Sequence, residues 1–142
     1  MVSILLAKMD TAEVVYCTDG DEDTIDMLTD NIVSTETAVI PRKLWWGLDE
    51  EELLMEREGK QFDILLAADV IYEEDQIEPL LESVCKLLSR EKDSEFLLAF
   101  ARRNVPIDKV WVQAKCRGLE WAVLDGNGEE NIYSVKFHDV NK

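Results

Sequence analysis

Asp69 and Tyr72 close the run Phe62-Asp63-Ile64-Leu65-Leu66-Ala67-Ala68-Asp69-Val70-Ile71-Tyr72. Its apolar core predicts a strand buried on both faces, as at the centre of a parallel sheet. Ligands of open α/β sheets bind just beyond the carboxyl ends of the strands, so this carboxylate and this phenol stand where chemistry is expected. The plainer reading is an Asp and a Tyr that merely begin a loop. Asp19 has the same placement, after Val14-Val15-Tyr16-Cys17-Thr18 and before Gly20-Asp21. A carboxylate there can hold ribose hydroxyls or cap the helix that follows, and the local sequence leaves both open. Trp45 and Trp46 point to opposite faces if extended, so one can be core while the other covers a ligand. Core packing for both is the simpler alternative.

Those residues must be carried by alternating elements. Val2, Leu5, Leu6 and Met9 follow helical spacing, and Ile25, Leu28 and Ile32 give a second helix its apolar stripe. Thr37 to Leu44 reads as a short strand interrupted at Pro41, and so near a sheet edge. Asp49-Glu50-Glu51-Glu52 reads as a solvated acidic face opening a short helix through Leu53, Leu54 and Met55 up to Gly59. Asp75 and Glu78 form a capping pattern ahead of the stripe Ile77, Leu80, Leu81, Val84, Leu87 and Leu88. Glu95 to Ala101 is a second buried strand, with Arg102 and Arg103 at its end. Pro106 opens a helix with Ile107, Val110, Trp111 and Ala114 inward, which Gly118 stops. Glu120 to Leu124 and Ile132 to Phe137 form a hairpin about Asp125-Gly126-Asn127-Gly128. The pattern predicts one α/β domain over residues 1–142, with helices on both faces of a mostly parallel sheet and an antiparallel hairpin at its C-terminal end.

The formal charge of −16 excludes the usual electrostatics of nucleic-acid and anionic-membrane binding. It suits a basic protein partner, or serves solubility alone. Cys17, Cys85 and Cys116 are odd in number and show no C-x-x-C, which fits free thiols in a reducing compartment, the cytoplasm or also the nucleus. One histidine, His138, leaves no zinc cluster and no Ser-His-Asp arrangement; it reads as a solvated tail residue. No apolar run reaches the length of a membrane span, and Met1 to Met9 lacks the features of a signal peptide.

Three motifs in order carry a resemblance over Met1 to about Phe137. Thr18-Asp19-Gly20-Asp21-Glu22 through Asp30-Asn31-Ile32, Leu44-Trp45-Trp46-Gly47 (L-x-W-G) and Ala67-Ala68-Asp69-Val70-Ile71-Tyr72 (A-D-x-x-Y) resemble the seven-stranded, Rossmann-like AdoMet-dependent methyltransferases. The closest likeness is to the family 16 group that modifies protein lysines. Ala99-Phe100-Ala101-Arg102-Arg103 is similar to that group's fifth strand and the basic residues beyond. The resemblance implies a three-layer α/β sandwich and S-adenosyl-L-methionine as cofactor. It implies that Asp19 binds the ribose hydroxyls, that Trp46 and Ala68 lie against the adenine, and that Asp69 and Tyr72 line the mouth where the acceptor amine meets the methyl group. All of these would converge on one rim of a shared sheet. The implied partner is a protein presenting a lysine.

In that family a first strand and a Gly-rich loop precede the helix resembling Met1–Met9, and no G-x-G-x-x-G occurs here. The expectation is therefore an N-terminally truncated member. Its alternative function is that of a catalytically inactive module binding a basic partner. A different Rossmann-like nucleotide binder is the remaining reading, and neither a P-loop nor a dinucleotide fingerprint supports it.

Overall fold

Helices and strands alternate as the hydrophobic periodicity dictates, in a computed structural model that describes residues 2–9, 12–35, 38–101 and 104–138. Thr37, Arg102 and Arg103, assigned above to strand ends, lie outside the described residues. Two compact units divide the chain, Met1–Met55 and Glu56–Lys142.

The first unit holds helix α1 (Val2–Lys8), strand β1 (Val15–Asp19), helix α2 (Glu22–Thr35), strand β2 (Val39–Lys43) and most of helix α3 (Glu50–Glu56). β1 and β2 pair in parallel, with Val15 opposite Val39 and Asp19 opposite Lys43. Val15, Ile32 and Val39 form the buried cluster, against which Ala7 and Cys17 pack. β2 runs through Pro41 without interruption, opposite Cys17. The missing N–H is tolerated because β2 belongs to a two-stranded sheet and has an edge to spare.

The second unit holds β3 (Ile64–Ala68), a 3-10 turn (Glu74–Gln76), α4 (Ile77–Leu87), β4 (Glu95–Ala101), α5 (Ile107–Cys116), β5 (Leu119–Gly126) and β6 (Glu130–Phe137). Its sheet has the order β3-β4-β6-β5. β3 and β4 are parallel, and β6 returns from the hairpin to lie antiparallel between β4 and β5. A register shift between Val123 and Asp125 bends the hairpin near its tip. Asn127 Oδ1 then closes the turn by accepting the N–H groups of Glu129 and Glu130. The predicted stripe of α4 is buried throughout: Ile77, Leu80, Leu81, Val84 and Leu87, with Leu88 just past the helix end. Phe96, Leu98 and Phe100 alternate inward on β4, while Val110, Trp111 and Ala114 do so on α5. Trp111 stacks on Trp121 and meets Tyr133 edge-on, each at 4.7 Å between ring centroids, fixing α5 to the hairpin.

The result is a Rossmann-like α/β fold with a mixed sheet, as expected. Two of the expectations about that sheet need correction. The described strands form two sheets, β1-β2 and β3-β4-β6-β5, rather than one. The strand that the resemblance puts between those like β1 and β3 has no counterpart among the described residues. Nor is β3 buried on both faces. It ends its sheet, and Ile64 and Leu66 remain 45% and 42% exposed.

Candidate functional site

Within the first unit, the candidate residues lie at the carboxyl ends of β1 and β2. Asp19, the last residue of β1, is half-buried, and its Oδ1 accepts the Asp21 N–H at 3.0 Å. Its carbonyl accepts the Leu44 N–H at 2.8 Å, which ties the start of the Leu44-Trp45-Trp46-Gly47 turn to the end of β1. The Trp45 ring lies over Gly20. A Cβ on Gly20 would stand 2.8 Å from Trp45 Cε3, so no other residue admits the indole so close to Asp19. Trp45 is 56% exposed, so core packing for both tryptophans fails; Trp46 is half-buried.

The choice left open for Asp19 is narrowed here, because the cap of α2 is Asp21. Asp21 Oδ2 accepts both the N–H and the hydroxyl of Thr24, each at 2.8 Å. Those bonds, the hydroxyl's first, hold the Asp21 carboxyl below its ordinary range. Beside it, the exposed Lys43–Glu22 pair at 2.8 Å shifts Glu22 down and Lys43 up through its hydrogen bond. Asp19 is thus relieved of capping.

The acidic run after Gly47 is no mere solvated face. Asp49 Oδ2 accepts the Trp45 N–H at 2.7 Å, and Glu50 Oε1 accepts the Gly47 N–H at 2.5 Å. Glu50 is completely buried. Gly47 has φ +82°, a left-handed conformation suited to glycine.

Within the second unit, the candidate residues lie at the carboxyl end of β3. Ala68, opposite Ala99 of β4, is exposed. Asp69 follows with φ +54°, rare for a residue with a side chain, and its N–H is held by the Ala99 carbonyl at 2.9 Å. Ile71 is buried and anchors the loop, whereas Tyr72 is 55% exposed. Gln76 Oε1 accepts the N–H groups of Tyr72 and Glu73, at 2.8 and 3.1 Å. Gln76 is also the N-cap of α4. The expected Asp75/Glu78 pairing is therefore replaced: the side chain that reaches back is Gln76, three residues after Glu73.

Asp19 and the Trp45-Trp46 turn thus share the first unit, and Ala68, Asp69 and Tyr72 the second. His138 is exposed yet tied down: its N–H reaches the Gly118 carbonyl at 2.8 Å and its Nδ1 lies 2.9 Å from Glu120. Among the described residues no cluster of His, Cys, Asp or Glu could hold a metal ion, and no helix is long and apolar enough to cross a membrane. Asp49, Glu50 and Gln76 escaped the sequence reading. Their signals were faint: acids two and three places behind a Trp-Gly pair, and an E-x-x-Q spacing hidden among other acids.

A Rossmann-like arrangement with a reversed strand next to the last position of its sheet is the fold of the class I methyltransferases. The chain belongs to the lysine methyltransferase family, whose model matches residues 1–115. S-adenosyl-L-methionine is the methyl donor of that class. Among solved structures, a methyltransferase from Pyrococcus furiosus is similar at 15% identity and TM-score 0.69, over 96% of this chain and 69% of that one. A protein from Pyrococcus horikoshii OT3 is similar at 16% identity and TM-score 0.67, over 97% and 76%. M. capricolum TrmK, in complex with S-adenosyl-homocysteine, is similar at 10% identity and TM-score 0.59, over 99% and 60%. No curated protein matches the chain.

The residues of the first unit fit the adenosine half of the cofactor. A ribose diol needs an acceptor, and the Asp19 carboxylate at the end of β1 is able to supply one. A purine needs a flat apolar face, and two indoles stand in the adjoining turn, one passing so near the chain that only Gly20 admits it.

Proposed function

We propose that the chain acts in S-adenosyl-L-methionine-dependent methylation of a lysine side chain on another protein. Asp19 takes the ribose hydroxyls, Trp46 lies against the adenine as the resemblance also implies for Ala68, and Asp69 and Tyr72 orient the acceptor amine. When bound, the cofactor supplies a methyl group activated by the adjoining sulfonium. The protein's part is then to present a neutral amine in line with that group, which needs position and dryness more than covalent help. The Asp69 carboxylate and the Tyr72 oxygen can accept the amine's N–H bonds, pointing its lone pair forward and easing loss of its proton. The observation that carries this reading is the left-handed backbone of Asp69 directly after β3. A carboxylate held in a costly conformation at a strand end is a common mark of a site under functional constraint.

The charge of −16 favours a basic protein substrate over nucleic acid, whose phosphates it repels. Three free cysteines accord with a reducing compartment, cytoplasm or nucleus. Isothermal titration of S-adenosyl-L-methionine into the chain, with Asp19→Asn as comparison, tests the cofactor half. The asparagine keeps an acceptor for the Asp21 N–H but loses the charge, and affinity is expected to fall about tenfold, or ~1.4 kcal/mol. Labelled methyl transfer to lysine in a protein extract, against the same extract's RNA, tests the substrate half. Label in RNA alone overturns the lysine assignment.

A further inference from the structure

We infer that Glu50 is a positioning residue for the cofactor: its buried carboxylate holds the Trp46-Gly47 turn in the conformation that presents Trp46 to the adenine. This rests on the reading that Trp46 lies against that ring.

The residues on either side of Trp46 each have their backbone N–H held by a carboxylate. The Trp45 N–H goes to Asp49 at 2.7 Å and the Gly47 N–H to Glu50 at 2.5 Å. The Trp45 carbonyl closes the same turn by accepting the N–H groups of Leu48 and Asp49, at 3.1 and 3.2 Å. A glycine left to itself visits both hands of the backbone about equally, yet Gly47 sits at φ +82°. A partner for its N–H favours that hand over the other. The partner chosen is costly, since glutamate is almost never fully buried and Glu50 is 0% exposed. Asp49 is only half-buried, so its grip is open to water. Charge-assisted bonds to backbone N–H groups are short and strong. With both flanking amides fixed, Trp46 enters binding with its backbone already ordered. Preorganisation of this kind raises affinity by sparing the ligand that cost.

Titration of S-adenosyl-L-methionine into the full chain, with thermal melting of each variant, separates positioning from plain stability. Glu50→Ala should weaken binding about tenfold or more, and Glu50→Gln, which keeps the acceptor oxygen, should stay within about threefold of the parent. Leu53→Ala, buried in the same helix, should lower the melting temperature while leaving affinity unchanged. The double variant Trp46→Ala with Glu50→Ala should bind no more weakly than Trp46→Ala, because the glutamate acts through the tryptophan. If Glu50→Ala does not fold, Glu50→Asp carries the test: it keeps the charge, draws the acceptor back by one methylene, and should lose affinity likewise. Parent-like binding by Glu50→Ala or Glu50→Asp, alongside weakened Trp46→Ala, overturns the inference and leaves the Trp46 reading standing. Parent-like binding by Trp46→Ala overturns that reading and the inference with it. An absence of heat from the parent chain overturns both.

Discussion

If the proposed function holds, Asp69 concentrates the tension between stability and chemistry in one side chain. At φ +54° a residue with a Cβ pays of the order of 1 kcal/mol that glycine does not. Asp69→Gly should therefore leave the melting temperature unchanged or raise it slightly, while methyl transfer falls about a hundredfold through loss of the amine's acceptor. A parallel loss of stability and activity in that variant would mean that the carboxylate is a structural fixture of the loop. Tyr72 differs in that it is 55% exposed. Trp45 and Gly20 illustrate how one atom's absence shapes the site. The indole reaches the backbone beside Asp19 only because nothing projects from Gly20.

The loops that carry these residues are held by side chains of the helices that follow them. Gln76, the N-cap of α4, accepts the backbone N–H groups of Tyr72 and Glu73 and so sets where the phenol emerges. Gln76→Ala removes two hydrogen bonds worth about 0.5–1.5 kcal/mol each, less where water replaces them. The expected outcome is a modest fall in melting temperature and a severalfold fall in kcat, with the KM for cofactor unchanged. A change confined to that KM would show that Gln76 serves the adenosine half instead. α2 is held at its start by Asp21, whose carboxyl lies below its ordinary value of 3.8 because of the Thr24 bonds. A depressed folded-state pKa means that the stabilisation is complete above the unfolded value and is lost as pH falls through the folded one. Asn caps equally well but does not titrate. The melting temperature of the parent should therefore fall more steeply than that of Asp21→Asn as pH drops below about 4. Identical slopes would remove Asp21 from the acid response.

The net charge of −16 acts over the entire surface. Under the proposed function, attraction of a lysine-bearing protein would be long-ranged and screened by salt, with a Debye length of about 8 Å at physiological ionic strength. Raising salt to about 0.5 M should increase the KM for a basic protein substrate several-fold and leave kcat alone. Duplex DNA should not compete. Salt-independent KM values would reassign the charge to solubility. The stability of the second unit rests instead on burial, with α4, β4 and α5 contributing most of its fully enclosed side chains.

The local pattern of residue types was enough to reveal each α-helix and each strand, though not the 3-10 turn, since periods of 3.6 and 2 belong to single segments. It also placed Asp19 and the Asp69/Tyr72 pair at strand ends, because an apolar run that breaks into polar residues marks an end wherever the strand lies. Burial and partnership could not be read that way, as they depend on neighbours distant in sequence. Glu50 looks like its acidic neighbours until the backbone folds over it, and Ile64 and Leu66 look enclosed until the sheet order leaves their strand at a margin. Likewise, which of two nearby aspartates caps α2 turns on where the helix begins, to within one residue. A one-dimensional pattern specifies which surfaces want covering, and only the folded chain determines what covers them.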